Sequence, residues 1–167
     1  KDNHTVLVTD REENTRALSA DVIVIATGTR PYHPDNIIFD NKYIYDGESI
    51  LELDTLPSTM TVIGGGVIGC EYACIFAHIG VRVTIIDSHS RLLPFLDNEI
   101  ADTLMYLMRK YGITLNIGDG IESVAVKDGQ VATATASGRE ISSERLLYTA
   151  GRVGNTENLG LESVGID

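Results

Sequence analysis

Three glycines, Gly64, Gly66 and Gly69, fall in the spacing G-x-G-x-x-G, and an aspartate, Asp87, stands 18 positions after the last of them. Each glycine answers a separate steric demand. Gly64 makes a tight turn, Gly66 (beside Gly65) removes the side chain that would hold a phosphate off the backbone, and Gly69 lets a helix pack closely on a strand. The amides of a helix's first turn have no partner inside the helix, so such a turn at a helix start can hold a pyrophosphate. A carboxylate at the position of Asp87 suits the other end of the same ligand, because it accepts hydrogen bonds from ribose hydroxyls. It also repels a 2′-phosphate, so Asp87 favours NAD over NADP, while Arg91, four residues on, is a cation that could reach such a phosphate. The chemistry implied is dinucleotide binding.

That chemistry needs a strand before Gly64, a helix after Gly66 and a second strand ending at Asp87. Met60-Thr61-Val62-Ile63 reads as the first strand. Ile68, Tyr72, Ile75, Phe76 and Ile79 recur at helical spacing, Gly80 supplies a left-handed stop, and Val81 to Asp87 reads as the second strand. A second helix is expected to start after the N-cap Asp97, with Glu99 in its first turn, and to run through Ile100, Leu104, Leu107, Met108 and Tyr111. Arg109, Lys110 and Gly112 mark its end, and Ile113 to Ile117 follow as a third strand. Asp128-Gly129 and Ser137-Gly138 then bracket the alternating segment from Val131 to Ala136, the pattern of a three-stranded antiparallel meander. Leu146 to Ala150 read as a last buried strand. The expected class is α/β: a Rossmann-like parallel sheet with a three-stranded antiparallel β-meander insertion. Upstream, Val22-Ile23-Val24-Ile25-Ala26 has the continuous apolar pattern of a strand buried on both faces. Residues 30–57, with Pro31, Pro34 and Pro57, read as a connection with one helical turn near Ser49-Ile50-Leu51.

Composition narrows the function classes. Hydrophobic content of 43% and charged content of 22% suit a folded chain. Thirteen basic against 24 acidic residues give a net charge of -11 with no basic patch, which argues against nucleic acid and anionic membrane surfaces as partners. Apolar runs fall short of the about 20 residues that a membrane helix needs. No secretory leader pattern is present, and two cysteines make no disulfide framework, so a reducing cytoplasm is the expected compartment. His4, His33, His78 and His89 lack metal-ligand spacing, and no metal is expected. Ser88-His89-Ser90 reads as a loop, since adjacent residues cannot face one another as a catalytic triad does. Cys70 and Cys74 share a helix face and read as small core residues, as do the larger Tyr72 and Phe76.

The order of these motifs resembles a known family. Ala26-Thr27-Gly28 closing an apolar run, a proline-rich connection, Gly64-Gly65-Gly66-Val67-Ile68-Gly69-Cys70-Glu71, and Gly151-Arg152-Val153-Gly154-Asn155 after a further strand are similar to the two-dinucleotide flavoproteins. These are the pyridine nucleotide-disulfide oxidoreductases, which include lipoamide dehydrogenase and glutathione reductase. The stretches Gly28-Thr29-Arg30-Pro31-Tyr32-His33-Pro34, Ile44-Tyr45-Asp46 with Ser49-Ile50-Leu51, and Phe95-Leu96-Asp97-Asn98-Glu99 resemble members that pass hydride between NADPH and NAD through FAD. The resemblance implies NAD(H)/NADP(H) and FAD as cofactors, with the protein aligning the nicotinamide over the flavin. By position it assigns Gly64, Gly66 and Gly69 to the pyrophosphate and Asp87 to the ribose. Ile121 and Gly151 go to the adenine and nicotinamide ends, Val67, Ile68 and Glu71 to the place where nicotinamide meets flavin, and Thr27 and Gly28 to FAD. No residue is assigned a catalytic role.

Other parts of the family pattern are absent from the sequence: an amino-terminal flavin glycine motif, a later Gly-Asp motif and the redox CxxxxC. The first residue is Lys1, and the strand-like run Thr5 to Thr9 begins almost at once. The chain therefore reads as an excised piece. Residues 1–57 are expected to be the last strands of a flavin domain with a connecting segment, 58–155 the NAD(P)-binding domain, and 156–167 a tail leading back to the flavin domain. Such a piece is expected to bind NAD weakly and to catalyse nothing alone, while the full-length enzyme is expected to be a homo-oligomer acting on small-molecule nucleotides. A lipoamide dehydrogenase or related disulfide reductase, and a non-catalytic NAD-binding sensor module, remain as the alternatives.

Overall fold

The computed structural model describes residues 2–166. They divide into two compact units, one comprising the chain up to Arg30 together with the residues from Val153 onward, the other Pro31–Arg152. Among the described residues, no helix is long and apolar enough to cross a membrane.

In the first unit, β1 (Thr5–Thr9) and β2 (Thr15–Ser19) pair antiparallel, from Thr5 opposite Ser19 to Thr9 opposite Thr15. The Asp10 carboxylate closes their turn by accepting from the Glu12 and Asn14 N–H groups at 2.9 and 3.0 Å. The run Val22 to Ala26 departs from expectation. It joins no ladder, and Val22 and Val24 are 77% and 80% exposed. A continuous apolar pattern makes a buried strand only where other strands flank it, and among the described residues none does. Two short strands, β3 (Thr29–Pro31) and, near the other end of the chain, Arg152–Gly154, form a two-stranded ribbon.

The second unit is built on a five-stranded parallel sheet. β4 (Ile44–Asp46), within the stretch read as a connection, is a fully buried edge strand, and a single 3₁₀ turn follows at Ser49–Glu52. After β4 come β5 (Thr59–Ile63), α1 (Val67–His78), β6 (Arg82–Asp87), α2 (Asn98–Lys110) and β7 (Thr114–Ile117). The meander follows as β8 (Ile121–Lys127), β9 (Gln130–Thr135) and β10 (Glu140–Ser143), and β11 (Arg145–Tyr148) returns to the sheet; β12 is Arg152–Gly154. The sheet order is β4-β11-β5-β6-β7, and β9 is the middle strand of the meander. The expected Rossmann-like parallel sheet with an antiparallel meander is therefore the fold observed.

Successive side chains of a strand alternate faces, so the central strands must be apolar on both sides. Val62, Ile85 and Leu147 face one core with Ala73, Phe76 and Met108 of the helices. Ile63, Leu146 and Tyr148 face a second core with Ile37 and with Val131 of the meander. Fully burying each such side chain contributes roughly 1.5–3 kcal/mol before the cost of ordering it.

Both helices turn inward a face that matches their periodicity only in part: Phe76 and Met108 are buried and Tyr72 and Leu104 pack against the core, but other expected residues do not. In α1 the buried residues are Gly69, Cys70, Ala73 and Phe76, while Ile75 and Ile79 are 54% and 53% exposed. In α2 they are Ala101, Met105 and Met108, while Ile100 and Tyr111 are 58% and 57% exposed. In α1 the small residues Gly69, Cys70 and Ala73 bring the helix close to the sheet, whereas α2 buries the flexible side chains of Met105 and Met108 beside Ala101. The helix ends match expectation: Asp97 Oδ1 accepts from the Glu99 N–H at 2.9 Å, and Gly80 and Gly112, just past the two C-termini, have φ +97 and +83.

Candidate functional site

β5 ends at Ile63 and α1 begins at Val67, so three glycines make up the whole connection. Gly64 sits at φ +105, and its N–H donates to the Ile86 carbonyl oxygen at 2.9 Å, which hangs the turn on the neighbouring strand. Gly69 comes so close to that turn that a Cβ there would overlap the Gly64 carbonyl oxygen and Thr149 Oγ1. Thr149 Oγ1 in turn donates to the Ile63 and Gly64 carbonyl oxygens at 2.9 and 3.2 Å, binding the end of β11 to the turn. Gly66, the N-cap of α1, is different in kind. Its φ of -76 is open to any residue, and a Cβ built on it would meet no protein atom within 4 Å. Nothing inside the protein demands glycine there, and the position caps a helix whose first-turn amides have no partner within the helix itself.

Gly66 lines a cleft of about 630 Å³, within the range of small-molecule sites. Beside the glycine turn, its walls include the end of β6 from Asp87 to His89, then Phe95, the Asp119–Ile121 segment, and Tyr148–Gly151. All of these lie at or beyond the carboxyl ends of parallel strands, where ligands of open α/β sheets bind.

Asp87 already has several partners. Its Oδ2 accepts from the Gly65 N–H, fixing strand end to turn. Its Oδ1 accepts from the His89 N–H at 2.7 Å and from the His89 ring at Nδ1 at 2.8 Å. The His89 carbonyl oxygen accepts from the Gly118 N–H at 2.8 Å, so the loop is pinned on both sides. Asp119, across the cleft, is held below the usual carboxylate range by hydrogen bonds, that from the Ser137 hydroxyl foremost.

The structure gathers Gly64, Gly65, Gly66, Asp87, Ile121 and Gly151 around the cleft. Gly69 supports it from behind. Val67 and Glu71 are exposed on α1 and Ile68 is half-buried; none of the three is a wall of the cleft. Arg91 is not a wall either, since its guanidinium is engaged by Asp102 of α2, with Nε to Oδ1 at 3.0 Å. Thr27 and Gly28 belong to the first unit, where their carbonyl oxygens accept from the Asn155 side chain and backbone N–H at 3.1 and 3.0 Å.

Spacing alone does not mark His89, Phe95, Asp119 or Thr149. The signal available for Thr149 and Asp119 is their place just past strand ends; for His89 it is the two-residue offset from Asp87 that lets its ring fold back. Burial pushes the Cys70 thiol up to about 12, and burial also raises that of Cys74. Such thiols stay protonated, so this helix does not carry a reactive pair. Among the described residues, no cluster able to hold a metal ion occurs.

The glycine turn, the open cradle above Gly66 and the strand-end cleft are features of dinucleotide sites. A soluble pyridine nucleotide transhydrogenase from Photobacterium profundum is 44% identical over 165 residues, covering 99% of this chain and 35% of that protein. The chain thus spans about a third of the length of the curated relatives it matches. The crystal structure of LpdA from Mycobacterium tuberculosis superposes with a TM-score of 0.88 at 32% identity, over 96% of this chain and 35% of that one. The HOCl-induced flavoprotein disulfide reductase RclA from Escherichia coli does so with a TM-score of 0.82 at 29% identity, over 99% of this chain and 37% of that one. The model of the family described as pyridine nucleotide-disulphide oxidoreductase matches residues 1–167, and the chain belongs to that family.

Proposed function

We propose that this chain is the NAD(P)-binding segment of an FAD-dependent enzyme that moves hydride between NADPH and NAD, a soluble transhydrogenase. The observation that carries the nucleotide site is Gly66, a glycine required by no protein neighbour at the floor of the cleft and at the start of a helix. The relatives named as transhydrogenases support the finer reaction. In the bound complex the nicotinamide and flavin rings supply the hydride chemistry. The chain's own part is to bind and orient. The first-turn amides of α1 hold the pyrophosphate, Asp87 stands at the adenine-side ribose, and Ile121 and Gly151 close the two ends. Val67, Ile68 and Glu71 mark where the nicotinamide meets the flavin, and Thr27 and Gly28, in the first unit, contact FAD. On the same reading the first unit belongs to the flavin-binding part, and the full-length protein is a homo-oligomer of the reducing cytoplasm.

The test is calorimetric titration of NADH into wild type and Gly66→Ala. Affinity is expected to fall at least about tenfold while the melting temperature stays close to wild type, because the added methyl meets ligand and not protein. Unchanged affinity would remove the site. For the reaction, the full-length protein should reduce a thionicotinamide analogue of NAD with NADPH as donor; reduction of a disulfide substrate instead would move the assignment to the disulfide reductases.

A further inference from the structure

We infer that Tyr148 binds the nicotinamide-side ribose of the dinucleotide through its hydroxyl, a contact that neither the glycine motif nor Asp87 supplies. The inference rests on the nucleotide-binding reading above and adds to it a residue that touches the ligand.

The first observation is a hydroxyl without a use inside the protein. Tyr148 is 7% exposed and is a wall of the cleft. Buried tyrosines normally find a hydrogen-bond partner, yet among the described residues the Tyr148 hydroxyl has none. Four side-chain polar atoms are sealed from solvent with no partner, Thr61 Oγ1, Asn116 Nδ2, Thr133 Oγ1 and Arg145 Nε. The Tyr148 hydroxyl is not one of them, so the small surface that this residue keeps includes its hydroxyl. Phenylalanine would fill the same core without leaving a polar atom unsatisfied. What the hydroxyl is for lies in the cleft.

The sheet order says which part of the ligand comes there. β6, which ends at Asp87, flanks β5 on one side, and β11 flanks it on the other. A dinucleotide held by its pyrophosphate at the turn after β5, with one ribose at Asp87, must lay its other nucleoside across β11. Neighbouring strands are about 5 Å apart, so the first group past the pyrophosphate, the second ribose, reaches the end of β11. Tyr148 is the last residue of that strand, in register with Ile63, which directly precedes the glycine turn and is also a wall of the cleft. The next residue, Thr149, has its hydroxyl turned to the Ile63 and Gly64 carbonyl oxygens, which leaves Tyr148 as the polar side chain free at this strand end.

The ring is also held in place. Phe39 meets it edge-on with centroids 5.7 Å apart, and Phe39 is stacked at 3.8 Å on His33, whose Nε2 is 2.7 Å from Asp46 Oδ2. Burial pushes the Tyr148 phenol up, and the neighbouring Tyr32 adds to this. At neutral pH the group therefore keeps its hydrogen, and it can both donate to and accept from a ribose hydroxyl.

The experiment titrates NADH, ADP-ribose and ADP into the full-length protein and its Tyr148→Phe variant by calorimetry. Losing one neutral hydrogen bond weakens binding about three- to tenfold, and that loss should appear equally for NADH and ADP-ribose, which share the second ribose. ADP, which lacks it, should bind within about twofold of wild type. The melting temperature without ligand should stay close to wild type, since phenylalanine keeps the ring. Unchanged NADH affinity, or an equal loss for ADP, would overturn the assignment and leave Tyr148 as a core residue. A loss for NADH with none for ADP-ribose would also overturn it, by moving the contact to the carboxamide. Failure of the wild type to bind NADH and ADP alike is a separate outcome, which would sink the nucleotide site itself.

Discussion

Two apolar runs of this chain, Val22-Ile23-Val24-Ile25-Ala26 and Met60-Thr61-Val62-Ile63, carry nearly the same sequence pattern and occupy opposite environments. The second is the middle strand of a parallel sheet, flanked by β11 and β6, and its four residues are between 0% and 4% exposed. The first pairs with no described strand, and its valines are 77% and 80% exposed. Burial is thus a property of neighbours and not of the run. The same lesson holds at the scale of single residues. Gly66 and Gly69 are three positions apart in one motif, yet one faces empty space and the other the backbone of its own turn.

The contrast can be broken by mutation, most sharply at Leu147. This fully buried neighbour of Val62 on β11 should cost about 2–5 kcal/mol when changed to alanine, read as a shift in urea midpoint. Val24→Ala should shift it by no more than about 0.5 kcal/mol. A loss at Val24 as large as that at Leu147 would show that the first run is buried after all.

Next in size is Gly69→Ala, expected to destabilise by about 1–3 kcal/mol because the methyl meets the Gly64 carbonyl oxygen. Gly66→Ala should leave stability nearly unchanged and weaken nucleotide binding at least about tenfold. Matching melting losses for the two glycines would end the distinction between a packing glycine and a ligand glycine.

A comparable effect is expected at Asp46, at the end of the strand β4 that sequence pattern does not reveal. Burial pushes its carboxyl up. Hydrogen bonds from the Ser49 and Glu48 N–H groups, 2.8 Å each, and from His33 at 2.7 Å outweigh this and hold it below its usual 3.8. A carboxyl lowered on folding stabilises the fold above its unfolded value and ceases to do so as pH falls through the folded one. Asp46→Asn should therefore cost about 1.5–3 kcal/mol at neutral pH, and the gap to wild type should close below about pH 4. A gap that persists at pH 2 would assign the loss to packing.

The smallest effect concerns the thiols. With Cys70 pushed up to about 12 and Cys74 also raised, native protein at pH 8 should react slowly with a disulfide reagent, and unfolded protein fast. Rapid labelling of Cys70 would contradict its burial.

Much of the fold is legible in the sequence because its signals are local. The glycine turn, the N-cap at Asp97, the stops at Gly80 and Gly112 and the meander turns at Asp128-Gly129 and Ser137-Gly138 each depend on a few adjacent residues and on backbone angles that few side chains allow. β4 is not legible, because three residues among prolines carry no period; its place follows from pairing with β11 a hundred residues away. The inward face of α1 follows the pattern at Tyr72 and Phe76 but departs from it at Gly69 and Ala73, for a related reason. Periodicity picks out the larger apolar residues, whereas the part of α1 that lies nearest the sheet is settled by how near a backbone can come.

For the site, the residue types at 64, 66, 69 and 87 are enough to name a ligand class, since turn geometry and approach distance are set within the motif itself. The sequence could not say that Arg91 would be drawn to Asp102, that the Asp87 carboxylate would be largely occupied, or that His89 would fold back onto it. Those outcomes depend on which elements come to lie beside one another, and electrostatic and hydrogen-bond partners are chosen by distance in space, which only the tertiary structure decides.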